Sequence, residues 1–242
     1  MPKPQERDLE QTKITFKKWL ESKLIDANNL NIELLGGPEN TGFSNETLSF
    51  NVAYELEEKQ IKTGMVLRFY PEGYFVFPDY DIHKQYLIMQ KLADHNIKVP
   101  NVLWYEPSDD IFGTSFYVME MAQGDAPSDN PPFHQEGWVA DSSEEVRENI
   151  WWGWVEQMAK IHQVDIRSGD FEFLNRPKLA EDYLDQELNY YFNFHEWAME
   201  DEAHPVADEA REWLKANKPS PNQASILWGD CRCANIMYTP DG

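Results

Sequence analysis

Residues 226–242 read Ile-Leu-Trp-Gly-Asp-Cys-Arg-Cys-Ala-Asn-Ile-Met-Tyr-Thr-Pro-Asp-Gly, and this is the most informative stretch of the chain. Its pattern predicts a short buried strand at 225–227, a loop, and a second short strand at 236–238. The loop places three polar side chains, Asp230, Arg232 and Asn235, between two apolar segments. Loops held by a packed scaffold often carry catalytic or binding residues, so the stretch is a candidate functional site.

The interval between Asp230 and Asn235 fits one particular chemistry. In phosphoryl transfer to an alcohol, an Asp accepts the hydroxyl proton and an Asn five positions later holds a metal ion against the phosphates. The same interval occurs in three other Asp/Asn pairs, at positions 26 and 31, 125 and 130, and 170 and 175. Among the four pairs, only Asp230 and Asn235 have apolar segments on both sides, an Arg in the loop, and a preceding glycine, Gly229, which would permit an unusual backbone angle. From these residues alone, a catalytic loop and an ordinary polar loop both stay open.

The residues from Trp228 to Asn235, Trp-Gly-Asp-Cys-Arg-Cys-Ala-Asn, resemble the catalytic loop of the aminoglycoside phosphotransferase-like (APH/choline kinase-like) family. They are most similar to a broad bacterial phosphotransferase branch, which also resembles the kinase-like domain fused to some acyl-CoA dehydrogenases. The usual loop begins His-Gly-Asp, and Trp228 departs from that form. The resemblance implies an α+β, protein-kinase-like bilobal fold, with an antiparallel-sheet N-lobe and a helical C-lobe. It also implies that Asp230 and Arg232 are catalytic and that Asn235 is a magnesium ligand.

The last four residues, Thr-Pro-Asp-Gly at 239–242, have the composition of a hairpin turn. A hairpin turn requires a returning strand, and in the family that this loop resembles, that strand leads to the Asp that binds the principal magnesium ion. We therefore interpret the chain as a C-terminally truncated fragment, which on its own could be inactive.

Two further stretches fit phosphate binding. A Gly-rich loop at 36–45 lies between predicted strands at 32–35 and 47–54, and kinases place the backbone N–H groups of such a loop over ATP phosphates. A long hairpin can also be Gly-rich for other reasons. The resemblance favours the phosphate role, because Gly42, Phe43, Ser44 and Asn45 look like the Gly-Phe-Ser-Asn of the family. Arg68, on a predicted strand at 62–70, is the candidate cation for the α- and β-phosphates; its alternative is an edge-strand Arg facing solvent.

A predicted helix at 79–94 carries Gln85 where the kinase template has an acidic partner for the phosphate-binding cation. Gln can orient an Arg through a hydrogen bond but cannot form an ion pair with it. The alignment of this helix, or the use of that ion pair, is therefore open. Predicted strands at 103–105 and 115–121 lead to a Pro-rich polar stretch, and from the residues alone this segment is only a hairpin strand and a linker. It resembles the inter-lobe hinge of the family, which implies that the backbone of Glu120 and Met121 would hold adenine. The boundary there predicts an N-lobe at 1–121 and a C-lobe at 122–242.

The second half of the chain has helical patterns. Ser142 and Glu145 fit a capping box that opens a helix ending near His162, and further helices are predicted at 178–199 and 205–217, the latter stopped by prolines. In the fold that this family has, the insert around the middle helix helps to line the acceptor pocket. Plain helix packing is the alternative reading of its acidic residues, which are Asp182, Asp185 and Glu187.

Composition restricts the class of protein. The 242 residues are 41% hydrophobic and include nine Trp, which is typical of a folded chain. The N-terminus lacks a signal-peptide core and no apolar run is long enough to span a membrane, so we expect a cytoplasmic protein. A formal net charge of −22 argues against nucleic-acid and anionic-membrane partners. Cys231 and Cys233 are too few for a zinc site and too close for an unstrained disulfide, so we expect two reduced thiols.

The sequence therefore predicts a Mg-ATP-dependent phosphotransferase, a kinase that phosphorylates a hydroxyl of a small molecule and uses ATP and Mg²⁺. The alternative is a nucleotide-binding module without transfer activity, suggested by Gln85. An antibiotic kinase is a third hypothesis, motivated by the acidic composition. A hydroxyacyl thioester is suggested as acceptor only by the fused relatives, so the acceptor and the oligomeric state stay open.

Overall fold

Five antiparallel strands form one sheet in the computed structural model, which describes residues 7–36, 46–71, 77–200, 202–220 and 223–239. Their spatial order is β1-β2-β3-β5-β4, so β5 lies between β3 and β4. This confirms the predicted α+β class with an antiparallel sheet in the first half of the chain. The strands are β1 (Asn28–Gly36), β2 (Thr47–Leu56), β3 (Lys59–Phe69), β4 (Val102–Glu106) and β5 (Phe116–Glu120).

The first helix, α1 (Leu9–Lys23), covers one face of this sheet. Asp8 caps it by accepting a hydrogen bond from the Gln11 backbone N–H. Phe16, Trp19 and Leu20 are buried against alternate residues of β2 and β3. Side chains alternate between the two faces of a strand, so this packing requires the period-two pattern that β2 shows. Fully burying each such side chain contributes about 1.5–3 kcal/mol.

The second helix, α2 (Ile82–Asp94), packs on β4 and β5. It begins three residues later than the sequence predicts, because the Asp81 side chain accepts a hydrogen bond from the Lys84 backbone N–H and so ends the loop there. The ring of Tyr86 meets the ring of Tyr117 edge-on, with 6.3 Å between their centroids. Tyr117 alternates along β5 with Phe116 and Val118, which face α1, so α2 lies on the opposite face of the sheet.

Helices dominate the second half of the chain, as predicted. They are α3 (Trp138–Asp141), α4 (Glu144–His162), α5 (Tyr183–Met199) and α6 (Pro205–Ala216). α5 begins five residues after the predicted position, at a cap formed by Asp182. Within the described ranges, no helix has the length and apolar character needed to cross a membrane.

The predicted cap of α4 was wrong by one residue. Ser143, and not Ser142, caps the helix by accepting a hydrogen bond from the Val146 backbone N–H. The Ser142 hydroxyl instead donates to the Trp138 carbonyl, at 2.5 Å, and closes the short helix α3. Two adjacent serines satisfy the same sequence pattern, and only the preceding helical turn decides which one is the cap.

A second apolar cluster joins α2 to the helical half of the chain. Leu92 and Ile97, at the end of α2, pack with Ile161, Phe171 and Ile226. Ile226 begins the stretch that contains the predicted catalytic loop. The cluster therefore connects the sheet half of the molecule to the base of that loop.

Polar contacts beside this cluster also join the end of α2 to the helical half of the chain. Asp170 accepts hydrogen bonds from the side chains of His95, at 3.1 Å, and Lys91, at 3.4 Å. The contact with His95, followed by that with Lys91, lowers the pKa of the Asp170 carboxyl below its ordinary value.

Candidate functional site

The structure brings Asp230 and Asn235 together. The Asn235 side-chain nitrogen Nδ2 donates to the Asp230 carbonyl oxygen, at 2.8 Å, and to the carboxylate oxygen Oδ2, at 3.0 Å. Two backbone hydrogen bonds tighten the loop between them, from Arg232 N–H to Asp230 and from Asn235 N–H to Arg232. A 3₁₀ turn at Cys233–Asn235 completes the loop. The five-residue interval therefore closes a compact turn that presents an exposed carboxylate.

The two strands predicted on either side of the loop do not form. Residues 225–227 have no strand structure, and Leu227 is 62% exposed although Ile226 is buried. In the second segment, Tyr238 alone pairs with another backbone, forming an isolated antiparallel bridge with Asp125. Apolar composition does not make a strand by itself, because a strand requires a neighbouring backbone along its length.

Gly229 does not adopt the unusual backbone angle that its place in the loop suggested, whereas Gly124 in the linker does. Gly229 is absent from the glycines with positive φ, whereas Gly124 has a φ of +110°. A Cβ atom on Gly124 would lie 2.1 Å from the carbonyl oxygen of Tyr238. The next residue, Asp125, exchanges two backbone hydrogen bonds with Tyr238, at 2.9 and 3.0 Å. Absence of a side chain at position 124 thus allows the linker to lie directly against the end of the loop.

Both cysteines are free thiols that support the loop from its buried side. The Trp154 indole N–H, on α4, donates to the sulfur of Cys231, at 3.0 Å. Cys233 is buried, and its sulfur lies 3.5 Å from the Tyr238 hydroxyl. Burial raises the pKa of both the Cys233 thiol and the Tyr238 hydroxyl, so both groups are protonated at neutral pH and are inert.

A cavity of about 470 Å³ borders the same buried side of the loop. Its walls are mainly aromatic and aliphatic and include Phe133, Ile150, Trp154 and Cys233. The Cys233 side chain is buried, whereas the Asp230 carboxylate is exposed. The cavity therefore lies on the buried side of the loop, away from Asp230, the predicted proton acceptor.

Arg232 contacts two carboxylates. Its NH1 nitrogen lies 2.6 Å from Oδ2 of Asp129, and its Nε lies 3.6 Å from Oδ2 of Asp230. Sequence reasoning missed Asp129, which lies in the polar, Pro-rich linker well before the loop. No spacing or motif connects the two residues, and only the path of the linker across the loop brings them together.

Arg68 is half-buried near the end of β3, where its registered neighbours are Thr47 on β2 and Tyr117 on β5. Burial raises the pKa of the Tyr117 hydroxyl, and the nearby Arg68 guanidinium acts in the opposite direction. Gln85 is half-buried in the first turn of α2, next to Tyr86, which contacts Tyr117. The alternative position for Arg68, on an edge strand, is wrong, because its strand, β3, lies between β2 and β5 in the sheet. The nucleotide roles of Arg68 and Gln85 stay predictions.

The predicted hinge follows directly from the sheet. The Glu120 N–H donates to the Asn101 carbonyl, at 2.8 Å, and the Met121 N–H donates to the Gly64 carbonyl, at 2.9 Å. These two N–H groups are thus occupied within the protein, and a nucleotide at this hinge would use other groups. The remaining predicted nucleotide-binding residues, Gly42, Phe43, Ser44 and Asn45, lie outside the described residues.

Acidic residues near the start of α5 have structural partners. Asp182 caps the helix, Asp185 pairs with Lys218 at 2.6 Å, and Glu187 pairs with Arg176 at 3.0 Å. These contacts favour helix packing over direct contact with a cationic substrate.

A magnesium ion fits one atom of the loop. Because Nδ2 of Asn235 is committed to two oxygen acceptors of Asp230, the side-chain oxygen Oδ1 is the atom available to a hard cation. The described part of the chain contains no group of three or more His, Cys, Asp or Glu side chains that could hold a metal ion. Magnesium usually keeps several waters and binds substrate phosphates, so a single amide oxygen is a compatible contribution.

Comparison with known proteins gives the loop its context. The family model described as "Phosphotransferase enzyme family" matches residues 46–242. Acyl-CoA dehydrogenase family member 10 of Mus musculus is 24% identical over 73% of this chain, and family member 11 of Homo sapiens is 26% identical over 72%. The matched regions span 16% and 21% of those two relatives' own lengths.

A solved structure shares the fold. It is a Ralstonia eutropha protein provisionally assigned as an aminoglycoside phosphotransferase, and it superposes with a TM-score of 0.62 at 20% sequence identity. The alignment covers 94% of this chain and 60% of that one. At this identity the similarity shows the fold alone.

Proposed function

The chain belongs to the phosphotransferase enzyme family, and from this premise we propose that it transfers the γ-phosphoryl group of Mg-ATP to a hydroxyl of a small molecule. The observation that carries the proposal is the geometry of the loop. It holds an exposed carboxylate, Asp230, beside an amide that can ligate a cation, Asn235, and a guanidinium, Arg232. In the phosphoryl-transfer template, the Asp of this loop accepts the hydroxyl proton and the Asn holds a metal ion against the phosphates.

Asp230 has the task of orienting the acceptor hydroxyl and accepting its proton. The acceptor oxygen forms a bond to the γ-phosphorus as the bond from phosphorus to the bridging oxygen breaks, and ADP leaves. A carboxylate offers about four lone-pair sites. Asn235 occupies one of them, and the Asp230 side chain is 75% exposed, so acceptor positions remain available.

Asn235 and Arg232 support the charge that moves during transfer. Asn235 would hold a magnesium ion through its side-chain oxygen, and the ion would supply positive charge to the phosphates. Arg232 adds a fixed positive charge beside Asp230. Arg68 would hold the phosphates from β3, together with the loop at 42–45, while the segment after β5 binds adenine. Most of the catalytic effect would then come from positioning and electrostatic stabilisation.

A second candidate is a nucleotide-binding module without transfer activity. It is favoured by the neutral Gln85 in the first turn of α2, where an acidic residue would form an ion pair with Arg68. The two candidates differ in one measurable property. The module binds nucleotide but leaves every acceptor unphosphorylated, whereas the enzyme couples ATP consumption to a phosphorylated product.

The test is Asp230→Asn, assayed for ADP release and phosphorylated product against a panel of small alcohols that includes hydroxyacyl thioesters and aminoglycosides. We expect turnover to fall by about 10²-fold or more, because Asn can orient a hydroxyl but cannot accept its proton. Asp165→Asn is the matched control, since Asp165 is an exposed carboxylate of the same lobe that pairs with Arg167. Undiminished turnover in D230N would refute the role of Asp230. Nucleotide binding without any product in the wild type would favour the module.

A further inference from the structure

The linker after β5 is attached to the loop at two separate points. Near its start, Gly124 and Asp125 lie against the backbone of Tyr238. Further along, the Asp129 carboxylate bonds to the Arg232 guanidinium. The linker therefore spans the loop, from the residue just past its end to the arginine at its centre.

The single guanidinium of Arg232 divides its contacts unequally between two carboxylates. NH1 lies 2.6 Å from the Asp129 carboxylate and forms a close ion pair, whereas Nε lies 3.6 Å from the Asp230 carboxylate, beyond hydrogen-bond distance, and forms a looser ion pair. Asp129 is thus the closer partner of the guanidinium.

We propose that Asp129 is a positioning residue, which holds Arg232 near Asp230 but prevents the two from forming a two-pronged, hydrogen-bonded pair. The inference rests on the proposed function, in which Asp230 must keep free lone pairs for the acceptor hydroxyl. A two-pronged Arg–carboxylate pair would occupy those lone pairs. At the present distance, the cation still contributes its charge to the site.

Stability does not explain this ion pair. Asp129 and Arg232 are each about half exposed, at 48% and 51%. Exposed ion pairs contribute little to folding, since solvent screens them and two side chains lose their freedom. Its consequence is instead geometric, because it fixes where the guanidinium lies relative to Asp230.

The first test is a crystal structure of Asp129→Asn, which needs no knowledge of the acceptor. We expect the Arg232 guanidinium to move onto Asp230 and to form hydrogen bonds of about 2.7–2.9 Å with its carboxylate. The same guanidinium position in D129N and wild type would overturn the inference.

The second test is kinetic and uses the acceptor found in the panel, with ATP hydrolysis in water as a further readout. In D129N, we expect kcat to fall by about 10-fold to 100-fold, because Arg232 then occupies the lone pairs of Asp230 that position the acceptor hydroxyl. KM for ATP should change little. The double variant D129N/R232Q should be no slower than R232Q alone, because Asp129 acts through Arg232. A merely structural role would instead lower Tm and act additively with R232Q.

Control variants distinguish a failure of this inference from a failure of the proposed function. D165N should match the wild type in both kcat and Tm, since it removes an Asp–Arg pair in the same half of the chain that is more exposed than the Asp129–Arg232 pair. The Tm of D129N should lie within about 2 °C of the wild type. If D230N is inactive and D129N is as active as the wild type, this inference fails and the proposed function stands. If D230N remains fully active, the proposed function fails, while the crystal structure of D129N still decides the position of Arg232.

Discussion

Replacing Gly124 with alanine tests whether the linker lies against the loop as the structure describes. Gly124 has a φ of +110°, an angle that residues with a Cβ atom rarely adopt. The added carbon would lie 2.1 Å from the Tyr238 carbonyl oxygen and 2.6 Å from its carbonyl carbon. Backbone atoms cannot rotate away as the end of a side chain can, so the linker and the loop must separate locally.

The cost has two parts. Forcing a residue with a Cβ atom into a sparsely populated backbone region costs about 1–3 kcal/mol. Separating the segments also breaks the two backbone hydrogen bonds between Asp125 and Tyr238, each contributing about 1 kcal/mol net. Separation relieves part of the strain, so we expect the free energy of unfolding to fall by about 3 kcal/mol in total. For a chain of this size, that lowers Tm by about 6–12 °C.

Thermal unfolding followed by circular dichroism measures the fall, and hydrogen exchange locates it. The Asp125 and Tyr238 amides should exchange faster in G124A, whereas the β3 amides should not. Gly153→Ala is the matched control, because Gly153 lies inside α4 and a Cβ there meets nothing within 4 Å. It should stabilise the helix by about 0.5–1 kcal/mol. A G124A protein with the Tm and amide protection of the wild type would refute the described contact.

Two further predictions concern caps and pH. Asp170→Asn should reduce stability at neutral pH, and its deficit should shrink below about pH 4. The contact with His95 lowers the pKa of Asp170 in the folded protein. The ionised carboxyl therefore stabilises the fold above the pKa that Asp has in the unfolded chain, and this stabilisation is lost as the carboxyl protonates. Parallel acid denaturation curves for the two proteins would contradict this reasoning. Ser143→Ala should cost about 1 kcal/mol in urea denaturation through the lost α4 cap. A larger cost for Ser142→Ala would instead place the cap at Ser142.

Local patterns predicted the elements whose packing is simple. β2 and β3 were found because their alternating residues face one core. Asp230 and Asn235 were predicted to lie in one loop, and their separation of only five residues brings the two side chains together.

Contacts between distant segments could not be predicted in this way. Residues 225–227 and 236–238 have the apolar composition of strands, but strand formation depends on a partner backbone, which composition does not reveal. Asp129 lies in a linker with no pattern of its own, and its contact with Arg232 depends on where the linker crosses the loop. Gly229 was singled out for its place beside the motif, whereas Gly124 matters because of the carbonyl that lies against it.

Two glycines connect the strand that carries Arg68 to the loop that carries the predicted base. On β3, a Cβ at Gly64 would lie 2.8 Å from the Cβ of Met121, so the hinge can pack against this strand only at a residue without a side chain. Gly124 brings the same hinge segment against Tyr238 at the end of the loop. Close backbone packing at both contacts fixes distances more firmly than flexible side chains do. The spacing between β3 and the loop of Asp230 is therefore set by close packing of the backbone at these two glycines. Under the proposed function, we expect a substitution at either glycine to alter transfer without removing any group that touches the substrate.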